Sequence, residues 1–391
     1  MTVNNWLNKK VQQYSNQKVN FSILRDLVDQ LKIKTPKKII SITGTNGKGS
    51  TANLINEILK KNSYSTGLYT SPHLVNYNER IKINKKNILD SHLKKYFSKI
   101  EKKFSKEDLN FYQLFSLSAF QYFSHNELDV WILEAGLGGR LDPINCFDAD
   151  LSIITNISFD HQEILGNDLN SIGAEKAGIL RRNQPLIFGD EEIPKSIKQK
   201  IKELDVKLFE VNKDFIPDDL VAYESAVRIS KKAINIIDSN ISTQNIYNSL
   251  KNIRILGRCD LINDKFLIDV AHNEKSVEKL KSFLEKENLA KKNISVIFHC
   301  SESKNPIELI HPLSIFISNL NIPKINNSRL HDEKYLKKKI ESETNIKVAI
   351  DDSLEKSIKN IRLKNQNCII LIFGSFYLAG EFYKLPMSKN V

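Results

Sequence analysis

The residues Gly44-Thr45-Asn46-Gly47-Lys48-Gly49-Ser50 put a lysine and a hydroxyl inside a glycine-rich run. Glycines accept positive φ and let successive N–H groups close on phosphate oxygens. Lys48 adds a full positive charge, a helix N-terminus adds a partial one, and the Ser50 hydroxyl can reach Mg²⁺. An apolar run, Ile39–Thr43, precedes these residues, and Leu54, Ile55, Ile58 and Leu59 follow at helical spacing within Thr51–Lys61. That order predicts strand, phosphate loop, helix. The match to G-x-x-x-x-G-K-[ST] is imperfect, because Ile42 stands at the first glycine position and Gly49 separates Lys48 from Ser50. A tight turn with a helix cap would account for the glycines but not for the lysine among them.

Further along, Val130–Leu133 ends in Glu134. An acid closing a strand beside a phosphate loop is the usual way such proteins hold the metal of a nucleotide. Gly136-Leu137-Gly138-Gly139 then gives a loop with room for a ligand at the carboxyl end of that strand. His161 follows the apolar run Leu151–Thr155 and its short exit, again at a carboxyl end, and Lys176 lies between small residues in Ala174–Gly178. By spacing alone, His161 and Lys176 read as easily as ordinary surface side chains.

These residues need a scaffold, and the chain supplies one. Short apolar runs recur at 39–43, 130–133, 151–155, 186–188, 266–270, 295–298 and 369–373, with amphipathic stretches between most of them. Strands alternating with helices predict an α/β protein with parallel sheets covered on both faces. At 391 residues there is room for two or three domains. A division near 253–258, after the helical stretch Thr243–Asn252, predicts a larger domain over 1–253 and a smaller one over 254–391. Lys and Arg exceed Asp and Glu by 58 − 46 = 12, with 41% hydrophobic and 27% charged residues, a globular composition that excludes disorder and collagen. The excess charge names no partner by itself, since a visible bias toward Lys, Asn and Ile can follow codon composition. Cys146, Cys259, Cys300 and Cys368 stand far apart without a C-x-x-C pair, which suggests neither zinc nor a disulfide framework. No apolar h-region opens the chain and no run nears the ~18 apolar residues of a membrane span. A cytoplasmic protein is expected.

Together, GTNGKGS (44–50), TSPHLVNYNERI (70–81), LEAGLGGRLD (133–142), DHQEILG (160–166), AEKAGI (174–179), DVAHN (269–273) and GSFYLAGE (374–381) resemble the dihydrofolate synthase/folylpolyglutamate synthase family. This is the folate branch of the ATP-dependent Mur ligases. The resemblance implies a P-loop ATPase-like N-terminal domain, a Rossmann-like C-terminal domain and an active site in the cleft between them. It also implies a reaction: ATP phosphorylates a substrate carboxylate, and the α-amine of L-glutamate displaces phosphate from the acyl phosphate. The acceptor would be dihydropteroate or a folyl-polyglutamate.

Carried over residue by residue, the resemblance assigns Thr45, Asn46, Gly47, Lys48, Gly49 and Ser50 to the ATP phosphates. It assigns Ser71, Glu134 and His161 to Mg²⁺, with two such ions expected. Lys176 matches the lysine that the family carbamylates, Arg258 and Asp269 match residues contacting ATP, and His272 belongs to the same motif with a catalytic role. The pterin would rest against Phe111-Tyr112-Gln113 and Leu141-Asp142-Pro143, the first supplying aromatic faces. Departures from the family pattern are Gln113 for Glu, Ser225 for an adenine-side Asn, Leu256 for Pro, and Val270 and Glu274 for Gly and Pro. A monomer without nucleic acid or membrane partners is expected. The competing readings are a cell-wall Mur ligase and a P-loop ATPase driven by nucleic acid, for which no helix-turn-helix, RNP-type or zinc-finger signature is present.

Overall fold

A computed structural model describes residues 2–14, 21, 23–289, 294–317 and 319–388. The chain divides into two compact units, 1–253 and 254–391.

In the first unit the strands are β1 (Lys38–Thr43), β2 (Thr66–Tyr69), β3 (Ile81–Ile83), β4 (Lys86–Asn87), β5 (Val130–Glu134), β6 (Leu151–Ile154), β7 (Pro185–Phe188) and β8 (Lys207–Glu210). Among the described residues they form one sheet in the order β4-β3-β2-β5-β1-β6-β7-β8. From β2 to β8 every pairing is parallel, while β3 and β4 extend the β2 edge antiparallel. The central strands read as continuous apolar runs because helices cover both faces. Neighbouring β1, β5 and β6 therefore end together, and their carboxyl ends carry the phosphate loop, Glu134 and the segment leading to His161. The run expected to reach Thr155 stops as a strand at Ile154, although the Thr155 N–H still donates to Thr43 O at 2.9 Å.

The second unit adds β9 (Asp260–Ile262), β10 (Phe266–Ile268), β11 (Ile294–Phe298), β12 (Asn319–Pro323), β13 (Lys347–Asp351) and β14 (Ile369–Phe373). Their order is β13-β12-β11-β14-β10-β9, parallel except for β9. The strand expected over 266–270 ends at Ile268, because Val270 turns away to donate its N–H to Gly257 O. Among the described residues no helix is long and apolar enough to cross a membrane.

The core of the first unit lies under the helix Phe111–Ser124, which is buried almost all round. Trp131 of β5 is enclosed there between Phe123 and Phe147, with ring centroids 5.7 and 5.5 Å away. Trp131→Ala should cost about 3–5 kcal/mol of stability, read as a lower denaturant midpoint at unchanged slope.

Candidate active site

The loop after β1 is shaped by two glycines that act for different reasons. Gly44 has φ +141°, and a Cβ there would lie 1.9 Å from Thr155 Oγ1 and 2.9 Å from Thr155 N. Gly47 has φ +82° with nothing within 4 Å of a Cβ, so only its backbone conformation requires glycine. The helix begins at Lys48, capped by Gly47, three residues before the apolar pattern starts. Ser50 therefore sits in its first turn, where the glycine cap brings no side-chain acceptor to the N–H groups. These are the groups a helix N-terminus offers to an anion.

The first half of the loop is tied to the protein instead. Thr45 N and Asn46 N donate to the carbonyl and side-chain oxygen of Asn156, both at 3.0 Å. Asn156 Nδ2 and Thr155 Oγ1 donate to Asn46 O at 2.9 and 2.7 Å. The Thr45 hydroxyl donates to Ser158 O and accepts from Ser158 N. Sequence reasoning missed Thr155 and Asn156; the available signal was their place at the end of the strand that neighbours β1.

Charge converges on one carbonyl. Lys48 Nζ and Lys176 Nζ each donate to Gly44 O at 3.0 Å, and Lys48 also reaches Thr45 O at 3.2 Å. Lys176, on the helix Leu169–Ala177, is only 3% exposed. Burial first, and Lys48 second, push its ammonium down to about 7, against the opposing pull of Asp160 and Glu175. Glu134 is also 3% exposed, and its Oε2 accepts the Ser71 N–H at 3.0 Å. Its oxygens lie 3.4 and 3.5 Å from where a Gly49 Cβ would be, so the carboxylate rests on the first turn of the phosphate helix.

Ser71 and Glu134 are thus brought together through the Ser71 backbone, and their oxygen donors suit a hard cation. Among the described residues no three His, Cys, Asp or Glu side chains gather to hold a metal by themselves. That donor set fits Mg²⁺, which is usually held by one or two carboxylates with phosphate and water completing the shell. His161 stands on the segment bonded to the phosphate loop, in left-handed conformation (φ +50°), its ring 3.7 Å from Asp160 and 3.6 Å from Glu163.

The acceptor-side residues are placed less simply. Phe111 opens the helix Phe111–Ser124 and packs its ring 5.7 Å from those of Tyr77, Phe97 and Phe115. The Tyr112 hydroxyl is buried against Gly136, 2.5 Å from where a Cβ would be, and has no hydrogen-bond partner of ordinary geometry. Burial, with Asp142 and Tyr69, raises the Tyr112 hydroxyl well above its ordinary value. Gln113 is buried, its Oε1 accepting the Asn110 N–H in a capping box while Asn110 accepts the Gln113 N–H. Leu141 is exposed, and Pro143 is buried in the short turn that Asp142 caps.

The Asp142 carboxylate accepts from Gly136, Leu137 and Ile144 N–H, at 2.8, 3.3 and 3.1 Å. Burial raises it to about 6 despite these bonds and the charge of Lys48. The loop expected to leave room for a ligand is therefore closed by protein: Tyr112 fills the space at Gly136, while Gly139 abuts the backbone of Glu175 and Lys176.

In the second unit, Arg258 lies over Phe376 at 5.1 Å, and the His272 ring is 5.5 Å from the same phenyl. His272 Nδ1 lies 2.8 Å from Val270 O, so that nitrogen donates to the carbonyl. Asp269 is buried, with its two oxygens accepting from Cys259 and Ala271 N–H at 2.7 Å each. Burial raises its pKa, and Arg258 opposes the shift.

Comparisons with known proteins converge on one family. Residues 42–263 match the Mur ligase middle domain and residues 258–385 match the dihydrofolate synthetase C-terminal domain. The chain is 31% identical to a dihydrofolate synthase/folylpolyglutamate synthase of Buchnera aphidicola from Acyrthosiphon pisum, over 98% of both chains. It is 28% identical to the Haemophilus influenzae protein of the same name, over 92% of each. Among solved structures, Escherichia coli FolC in complex with DHPP and ADP superposes with a TM-score of 0.91, at 24% identity, over 100% of this chain and 99% of that one. A bifunctional folylpolyglutamate synthase/dihydrofolate synthase with Mn, AMPPNP and L-glutamate bound superposes with a TM-score of 0.86 at 24% identity, over 98% of each chain.

The two glycines should separate in a stability assay. Gly47→Ala meets only an unfavourable φ and should cost about 1–2 kcal/mol, whereas Gly44→Ala must also displace Thr155 and should cost about 3 kcal/mol or more. Equal midpoint shifts in urea unfolding would contradict the close approach of Thr155 to Gly44.

Proposed function

The chain belongs to the dihydrofolate synthase/folylpolyglutamate synthase family of ATP-dependent ligases, and we propose that it joins L-glutamate to dihydropteroate, to folyl-polyglutamates or to both. The observation that carries this reading is the gathering on one loop of two cations, Lys48 and Lys176, and one carboxylate, Glu134.

A carboxylate is a poor electrophile because its leaving group would be oxide. Attack of the acceptor carboxylate oxygen on the γ-phosphorus of ATP forms an O–P bond, breaks the bond to the β-phosphate oxygen and releases ADP. The glutamate α-amine, deprotonated, then adds to the acyl carbon. Collapse breaks the C–O bond, phosphate leaves and an amide remains. Substrates and transition state are all anionic, so acceleration must come from fixed positive charge and alignment. Lys48 and the first-turn N–H groups would face the transferring phosphoryl group. Ser71, Glu134 and His161 would hold the divalent metal. That metal, when bound, neutralises and orients phosphate oxygens.

Arg258, with its guanidinium over Phe376, would contact the nucleotide. His272, on the same motif, would serve the transfer of the amine's proton. The hydrogen bonds of Asp269 to the turn around Arg258 suggest that it positions this segment rather than touching ATP itself. Four free cysteines, two of them buried, are in keeping with a reducing, cytoplasmic location.

Lys176 is the proposed site of carbamylation. With its pKa at about 7, roughly half the side chain is a neutral amine at pH 7, against about one in three thousand for an ordinary lysine. The amine nitrogen attacks CO₂, a C–N bond forms, a π pair moves to oxygen and a proton leaves nitrogen. The product is an anion that adds an oxygen donor for metal where an ammonium would repel it. Because only the deprotonated amine reacts, carbamylation should increase from pH 6 to pH 8. In ¹³C NMR with labelled bicarbonate, a carbamate resonance should grow over that range and be absent from Lys176→Met. A resonance that persists in the variant would place the modification elsewhere.

ADP release should require L-glutamate together with dihydropteroate or tetrahydrofolate, and Lys48→Ala should lower kcat by about 10³-fold. Turnover with a UDP-muramoyl acceptor and none with pterins would overturn the folate assignment.

A further inference from the structure

Arg80 lies just before β3, and its backbone carbonyl accepts the Thr70 N–H at 3.0 Å, which sets it beside the Ser71 segment. The guanidinium carbon lies 5.6 Å from the Tyr77 ring centroid and 5.7 Å from that of Phe115. Its Nε donates to His73 Nδ1 at 2.9 Å, and a nitrogen that accepts this bond carries no proton, so the partner is a neutral imidazole. Among the described residues no carboxylate pairs with Arg80.

Glu79, the neighbour of Arg80 in the chain, and Asp142, which acts with Arg80 on Tyr69 and Tyr112, are committed elsewhere. Glu79 accepts from Leu74, Val75 and Asn76 N–H at 2.8, 3.0 and 2.7 Å, and Asp142 from its own three N–H groups. The result is a cation resting beside two neighbouring aromatic rings whose centroids are 6.1 Å apart, its Nε occupied and the Nη1/Nη2 edge left as a planar fork. Such a fork matches a carboxylate with two parallel hydrogen bonds.

We propose that Arg80 binds a carboxylate of the pterin-bearing acceptor and so selects acceptors that carry one. This rests on the ligase reading above and adds a specificity residue to it. Phe115 and Tyr77 pack beside the guanidinium, and the bond to His73 fixes its rotation. Ser71, two residues before His73 and donating its backbone N–H to Glu134, connects this wall with the proposed metal ligands. The charge of Arg80 also opposes the upward shifts of Tyr69 and Tyr112, so its field reaches the aromatic cluster beside Asp142.

The test compares binding of dihydropteroate with binding of 6-hydroxymethylpterin, which has no carboxylate, by isothermal titration to the full chain and to Arg80→Gln. The variant should bind dihydropteroate about 10- to 100-fold more weakly, with 6-hydroxymethylpterin unchanged within about twofold and the KM for ATP unmoved. Arg80→Lys, keeping the charge without the fork, should recover part of the loss and serves if the glutamine variant does not fold. Tetrahydrofolate in the same titration separates the benzoate carboxylate from those of a glutamate tail. Equal losses for both pterins would mean that Arg80 only braces Tyr77 and Phe115, and no loss for dihydropteroate would exclude the contact; either overturns the proposal. Wild-type protein that releases ADP with neither acceptor would instead remove the ligase reading.

Discussion

The Gly44 carbonyl accepts from Lys48 and Lys176 at once, and the rest of the phosphate site follows from how that is made possible. Two ammonium groups on one oxygen repel each other, and the buried one yields by holding its proton less tightly. The carbonyl can face both only because Gly44 adopts φ +141° with its α-carbon against Thr155, a place no side chain could occupy. Thr155 in turn is fixed by the parallel pairing of β1 with β6, continued by one backbone bond beyond the strand. Sheet register therefore reaches the ionisation of Lys176 through one glycine.

Glycines serve the opposite purpose on the far side of the site. After β5, Gly136 and Gly139 admit Tyr112 and the helix Leu169–Ala177, so this loop is a packed joint. Through it, the aromatic wall and the helix carrying Lys176 are held to the strand that ends in Glu134. A volume change in any one of them is felt by the others, because interiors at this packing density transmit displacement.

Apolar runs made the central strands legible, since β1, β5, β6, β7, β10, β11 and β14 are buried on both faces. The strands without such runs were those whose burial is partial or whose sequence is mixed. β4 is exposed, β8 is at most half-buried on an edge, β12 contains Asn319, Asn321 and Pro323, and β13 shows Lys347 and Ala349 to solvent. The phosphate loop and Glu134 could be read because glycine, lysine and a strand-ending acid carry their own chemistry. Lys176 could not be read from spacing, because nothing local in a helical lysine records that three-dimensional packing buries it beside a second cation. Gln113 is the converse case: its local capping box with Asn110, three residues away, was open to a reading of the sequence, and its burial was not.

The carboxylates show why residue type alone underdetermines a site. Asp142, Asp269 and Glu134 are all buried, all stand at strand ends or in the turns beyond them, and all belong to recognisable motifs. Asp142 accepts three backbone N–H bonds and Asp269 two, so much of their acceptor capacity is spent on holding turns. Glu134 accepts a backbone N–H on one oxygen from Ser71 and lies with both oxygens against a glycine in the phosphate helix. A buried carboxylate that accepts N–H groups within one turn positions that turn, whereas one that accepts from a separate segment joins two parts of the fold. Their hydrogen bonds thus differ in what they join: Asp142 and Asp269 hold turns together, and Glu134 ties the Ser71 segment to the first turn of the helix Lys48–Lys61.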